Sequence, residues 1–100
     1  MTRWLANRTQ GRRAVGGALF LTNQRLVFRA NRLEHLIGGK AWDVNLINVM
    51  SVGVAEKTGN LFDGGLRNRL KVQVHNDEPA LFVVNKLPEV IETVSARLGK

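Results

Sequence analysis

Arginine is the residue type with the clearest chemical potential in this chain. Ten of its fifteen basic residues are arginines, and only eight acidic residues oppose them, which leaves a formal net charge of +7. A guanidinium group binds phosphate and carboxylate oxygens through two parallel hydrogen bonds. Six arginines between residues 8 and 32 form a candidate anion-binding group: Arg8, Arg12, Arg13, Arg25, Arg29 and Arg32.

The same arginines have a simpler interpretation as the solvated basic face of a small protein. Acids such as Asp43 and Glu56 can pair with them, and exposed ion pairs contribute little to stability. Net charge therefore indicates a class of partner only. That class comprises phospholipid head groups, nucleic acid and acidic proteins.

Other chemistry-bearing residues are few. The chain contains no cysteine, and His35 and His75 stand far apart without a second ligand nearby in the sequence, so no metal site is predicted. Ser51 and Ser95 lack a neighbouring base, and the acids are scattered. We therefore predict a protein without catalytic activity, metal or cofactor.

A second candidate contact lies in the glycine-rich segment from Lys57 to Leu66. Leu61 and Phe62 form an apolar tip there between glycines. Such a tip can insert into the interface of a bilayer. It can equally fold back over the protein or seal a contact between subunits.

One hundred residues with 44% hydrophobic content predict a single domain over residues 1–100. Apolar and polar residues alternate with the period of two that is typical of strands. Residues 9–13 are interpreted as a loop or a continuation of the first strand, and residues 31–40 as a long hairpin loop rather than a helical turn. The predicted strands are Thr2–Asn7, Ala18–Leu21, Arg25–Ala30, Ala41–Leu46, Ser51–Glu56, Arg69–His75 and Ala80–Val84.

The last segment changes to the helical period of 3.6 residues. Leu87, Val90, Ile91, Val94 and Leu98 fall on one stripe. Seven short strands followed by one amphipathic helix predict a mainly β protein, in which a bent antiparallel barrel is capped by the helix. This is the pleckstrin-homology-like architecture.

Residues 17–28 read Gly-Ala-Leu-Phe-Leu-Thr-Asn-Gln-Arg-Leu-Val-Phe. This segment resembles the signature hairpin of the GRAM and bacterial pleckstrin-homology-like domains. Residues 44–52, 70–72 and 81–84 resemble later strands of the same family. The resemblance implies a non-catalytic module that binds lipids or proteins. In phosphoinositide-binding relatives, basic residues between the first two strands hold phosphate, and Arg8, Arg12 and Arg13 fall in that loop by the predicted strand bounds.

Three functions remain open at this level. The first is a small binding module that contacts anionic phospholipid or a protein partner, and the second is a homo-oligomeric structural protein. The third is a non-specific nucleic-acid binder, although no RNA-binding aromatic motif or helix-turn-helix occurs. The sequence contains no stretch long and apolar enough for a membrane-spanning segment. We therefore expect a cytoplasmic location, with peripheral contact at the inner membrane surface.

Overall fold

The computed structural model describes residues 1–11, 13–57 and 67–98. Their main feature is one antiparallel seven-stranded sheet with the strand order β4-β3-β2-β1-β7-β6-β5. A 3-10 turn covers Leu46–Asn48. The strands are β1 (Thr2–Gln10), β2 (Arg13–Leu21), β3 (Arg25–Ala30), β4 (Trp42–Asn45), β5 (Val49–Ala55), β6 (Arg69–Val74) and β7 (Ala80–Val84). The helices are α1 (Arg32–Leu36) and α2 (Leu87–Arg97).

The sheet is strongly curled, and two aromatic contacts demonstrate it. Trp42 on β4 and Phe82 on β7 are separated by four strand spacings in the sheet order. In a flat sheet that would place them about 19 Å apart. Their ring centroids lie 5.3 Å apart, with the rings edge to face, and Phe28 on β3 lies 5.7 Å from Phe82. The inner face of the sheet therefore closes on itself around an aromatic cluster.

The core consists of the inward residues of the alternating strands. Leu26, Phe28, Leu70 and Val72 are fully buried members of it. Helix α2 covers one opening of the curled sheet, where Val90 and Val94 are completely buried. Leu87, Ile91 and Leu98 pack against the same core. The predicted fold class, a bent antiparallel barrel of seven strands capped by one C-terminal helix, is confirmed.

Two predictions about the first half of the chain were wrong. The first two strands are longer than expected, since β1 runs to Gln10 and β2 begins at Arg13. Arg8 and Arg13 thus belong to strands rather than to a loop. Residues 32–36, interpreted as part of a long hairpin loop, form helix α1.

Other predictions fall on residues 12, 58–66, 99 and 100, which lie outside the described part of the chain. They concern Arg12 and the Leu61-Phe62 tip. No helix among the described residues is long and apolar enough to cross a membrane.

Candidate functional site

Helix α1 is short, and hydrogen bonds cap it at both ends. The side chain of Asn31 accepts a hydrogen bond from the amide of Glu34, which satisfies one free donor of the first turn. At the other end, the Gly39 amide donates to the Glu34 carbonyl at 2.7 Å and the Gly38 amide to that of His35 at 3.4 Å. Gly38 has a φ of 96°, a conformation that glycine adopts without a steric penalty. A five-residue helix is stable here because its ends are satisfied.

The carboxylate of Glu34 attaches this helix to the sheet. One oxygen accepts a hydrogen bond from the Gly16 amide at 2.8 Å, and the other lies 2.6 Å from the Arg13 guanidinium. Arg13 also donates to the Ile37 carbonyl at 2.9 Å. The hydrogen bond from Gly16, followed by that from Arg13, lowers the pKa of Glu34. Glu34 is thus held ionised and directed towards β2.

The apolar side chains of α1 are directed away from the sheet. Leu33, Leu36 and Ile37 are 69%, 76% and 60% exposed. Their spacing of three and four residues places them side by side on one helical face. No residue of α1 is buried. These side chains do not belong to the core, so the protein presents an apolar face to solvent at this point.

Basic residues flank this apolar face. Arg32 begins α1 and is exposed, and Lys40 is exposed just beyond the helix. The last residue of β1, Gln10, holds the segment that follows the helix. Its side chain donates a hydrogen bond to the Gly38 carbonyl and accepts one from the Lys40 amide. We call Arg32, Leu33, Leu36, Ile37 and Lys40 the α1 surface. It combines apolar contact area with two cations that make no ion pair among the described residues.

The six candidate arginines do not form one site. Arg13 is engaged by Glu34 and Ile37, so it positions α1. Arg8 lies on the inner face of β1, because its partners in the sheet, Val15 and Phe82, are both fully buried. Desolvation by burial lowers the pKa of Arg8, and its Nε is buried without a hydrogen-bond partner among the described residues. Arg12 lies outside the described residues.

The remaining three arginines occupy two different surfaces. Arg25 and Arg29 lie on the outer face of β3, where Arg25 forms a 3.0 Å ion pair with Asp43. Arg32 belongs to the α1 surface. The predicted anion-binding group is therefore divided among the inner face, the attachment of α1, the outer face and the α1 surface.

The α1 surface itself was missed by the sequence analysis, although the sequence contained a signal for it. Leu33, Leu36 and Ile37 have helical spacing, an asparagine precedes them, and Gly38-Gly39 follows. These are the start and stop signals of a short helix.

Regarding metal sites, the described residues contain no group of three or more histidines and acids that could hold an ion.

Comparison with known proteins supports the fold alone. No protein-family model and no curated protein matches the chain significantly. Among solved structures, the chain is similar to the C-terminal domain of an unknown protein from Leishmania infantum, with a TM-score of 0.76 and 12% sequence identity. The match covers 100% of this chain and 84% of that one. The curled sheet with its helical cap is thus an architecture that also occurs in a protein with very different sequence.

Proposed function

We propose that this protein is a small non-catalytic binding module that contacts anionic phospholipid surfaces through the α1 surface. The observation that carries the proposal is the exposure of Leu33, Leu36 and Ile37 on one helical face between two cations. The resemblance of residues 17–28 to the GRAM hairpin agrees with a module of this kind. The net charge of +7 favours an anionic partner.

The apolar and basic parts of the α1 surface contribute energies of similar size. Burial of a large aliphatic side chain contributes about 1.5–3 kcal/mol when it is complete. A lysine or arginine close to an anionic leaflet contributes about 1 kcal/mol. The two cations Arg32 and Lys40 would not give stable attachment without apolar contacts, and a single leucine would not give it without the cations. We therefore expect binding to require both parts.

The attachment of α1 to the sheet favours binding because it orders the surface in advance. The Glu34 carboxylate, the Asn31 cap and the Gly38-Gly39 stop restrain the helix before any partner arrives. A preordered surface loses less conformational entropy on binding than a flexible loop does. The role suggested for Leu61 and Phe62 is thus assigned to the side chains of α1 in this proposal.

The test is co-sedimentation with phosphatidylcholine vesicles, with and without phosphatidylserine, at low and near-physiological salt. We expect retention on the anionic vesicles that declines with salt. Leu36→Asp and the double variant Arg32→Glu/Lys40→Glu should each reduce retention at least fivefold. The matched controls are Leu5→Asp, at a 65% exposed apolar residue of β1, and Lys57→Glu, at an exposed lysine.

Retention of the wild type with normal retention of both controls would support the proposal. Equal retention of Leu36→Asp and the wild type would overturn it. Arg13→Glu is unsuitable as a test variant, because it would also break the attachment of α1 to β2. If the charge variant loses nucleic-acid binding instead, the basic residues serve the third function.

A second candidate function is self-association along the edge strand β5. This strand ends the sheet on one side, and it and the preceding turn carry the exposed apolar residues Ile47, Met50 and Val54. An open strand edge with apolar side chains is suited to pairing with another chain. Sedimentation velocity tests this candidate, since a dimer of the 11.1 kDa chain would be converted to monomer by Val54→Lys.

A further inference from the structure

The outer face of the sheet carries a groove that is separate from the α1 surface. It crosses β2, β3 and β4 and has a volume of about 760 Å³. Such a volume lies within the range of small-molecule sites, roughly 300–1,000 Å³. The residues that line it are Met1, Phe20, Thr22, Arg25, Val27, Arg29, Ala41, Trp42 and Asp43.

The floor of the groove is apolar, although it lies on the outward side of the sheet. Phe20 on β2 pairs directly with Val27 on β3, and both side chains are half-buried. Arg3 on β1 pairs with Phe20 and places its guanidinium 5.9 Å from the ring centroid. Outward positions of an exposed sheet are ordinarily polar. The pair Phe20–Val27 is thus an apolar strip that lies between Arg3 on β1 and Asp43 on β4.

Two arginines and one acid line the groove, and Arg3 lies beside its floor. Arg25 and Arg29 lie on the same side of β3, about 13 Å apart along the strand, and Val27 lies between them. Arg25 is paired with Asp43, whereas the side chain of Arg29 has no hydrogen bond or ion pair with any residue that the structure describes. The Arg29 guanidinium is thus available to an anionic group of a ligand. A polyanion would meet the carboxylate of Asp43.

We propose that this groove binds a free single-chain amphiphile with one anionic head group, such as a carboxylate. The head group is held by Arg29, and the apolar chain lies over Phe20 and Val27. The floor residues are recessed between exposed arginines, so they can cover a single chain but cannot insert into a bilayer. The groove shares no residue with the α1 surface, so this proposal is independent of the proposed function.

The experiment is an amide NMR titration of the whole chain with decanoate below its micellar concentration. Two further probes are decyltrimethylammonium, which has the same chain with a positive head, and acetate, which is a carboxylate without the chain. We expect saturable shifts on the outer face of β2, β3 and β4 with decanoate. Binding of the other two probes should be at least tenfold weaker.

Variants test each part of the site. Arg29→Ala should weaken decanoate binding about tenfold, and Val27→Asp should abolish it while the amide spectrum stays dispersed. Arg32→Ala is the matched control, since it removes an exposed arginine of the α1 surface, and it should bind decanoate normally. Leu36→Asp should do the same, which separates this site from attachment to vesicles. Absence of saturation, or unchanged affinity in Arg29→Ala, would overturn the proposal.

Discussion

The Arg13 guanidinium and the Glu34 carboxylate lie 2.6 Å apart and join the first residue of β2 to helix α1. The same carboxylate accepts from the Gly16 amide. One acidic side chain thus connects a strand to the segment that presents the exposed apolar face. The position of the α1 surface depends on this connection, although Glu34 itself is directed away from solvent-facing Leu33 and Leu36.

We expect the stability contributed by Glu34 to depend on pH. The Gly16 and Arg13 hydrogen bonds lower its pKa in the folded state. Its contribution is therefore fully present above the unfolded pKa of about 4.3, and it is lost as the pH falls through the lower folded value. Urea unfolding of the wild type and Glu34→Gln should show the largest difference in free energy of unfolding above pH 5. A difference that stays constant or widens towards acid would contradict this.

Removal of an apolar side chain should affect the free energy of unfolding much less on α1 than in the core. Leu36 is 76% exposed, so Leu36→Ala should change the free energy of unfolding by less than about 0.5 kcal/mol. Phe82 is fully buried against Phe28 and Trp42, so Phe82→Ala should lower it by about 3–5 kcal/mol. Urea titration of both variants checks this. If Leu36→Ala lowered the free energy of unfolding by more than about 1 kcal/mol, Leu36 would belong to the core.

Gly17 should not tolerate a side chain. A Cβ added there would overlap the Arg29 carbonyl oxygen and lie 2.9 Å from the Phe28 ring. Overpacking of this kind costs about 1–3 kcal/mol, so we expect Gly17→Ala to lower the midpoint of urea unfolding clearly. Gly53→Ala is the matched control, because a Cβ at Gly53 would meet no atom of the described residues within 4 Å. Equal midpoints for the two variants would show that β2 and β3 are farther apart at this point.

The ion pair between Arg25 and Asp43 should contribute little to folding. Its side chains are 51% and 55% exposed, so water screens their attraction. A double-mutant cycle with Arg25→Ala and Asp43→Ala should give a coupling energy of about 0.2–1 kcal/mol. A larger coupling would contradict the screening that the exposure of both side chains implies.

Local pattern was sufficient for much of the architecture. The period of two in Arg25–Ala30, the continuously apolar run Ala80–Val84 and the period of 3.6 after Leu87 identified two strands and helix α2 with nearly the observed bounds. Strand β7 is buried on both faces and is therefore apolar throughout. Strand β3 and helix α2 each bury one face, and burial imposes its periodicity on their residues. The same pattern extends from Trp4 and Ala6 to Arg8, so the inward position of Arg8 was present in the sequence. The inward position of Arg8 was not predicted, because the predicted first strand ended at Asn7.

The sequence by itself determined the strand and helix types, the sidedness of most strands and the excess of positive charge. Only the tertiary structure decided which distant residues meet. The curl brings Trp42 to within 5.3 Å of Phe82, and the attachment of Glu34 to Gly16 and Arg13 stabilises α1. Such contacts depend on the twist of the whole sheet and on chain segments far apart in sequence. Periodicity reports which face of a segment is buried, but not what covers it.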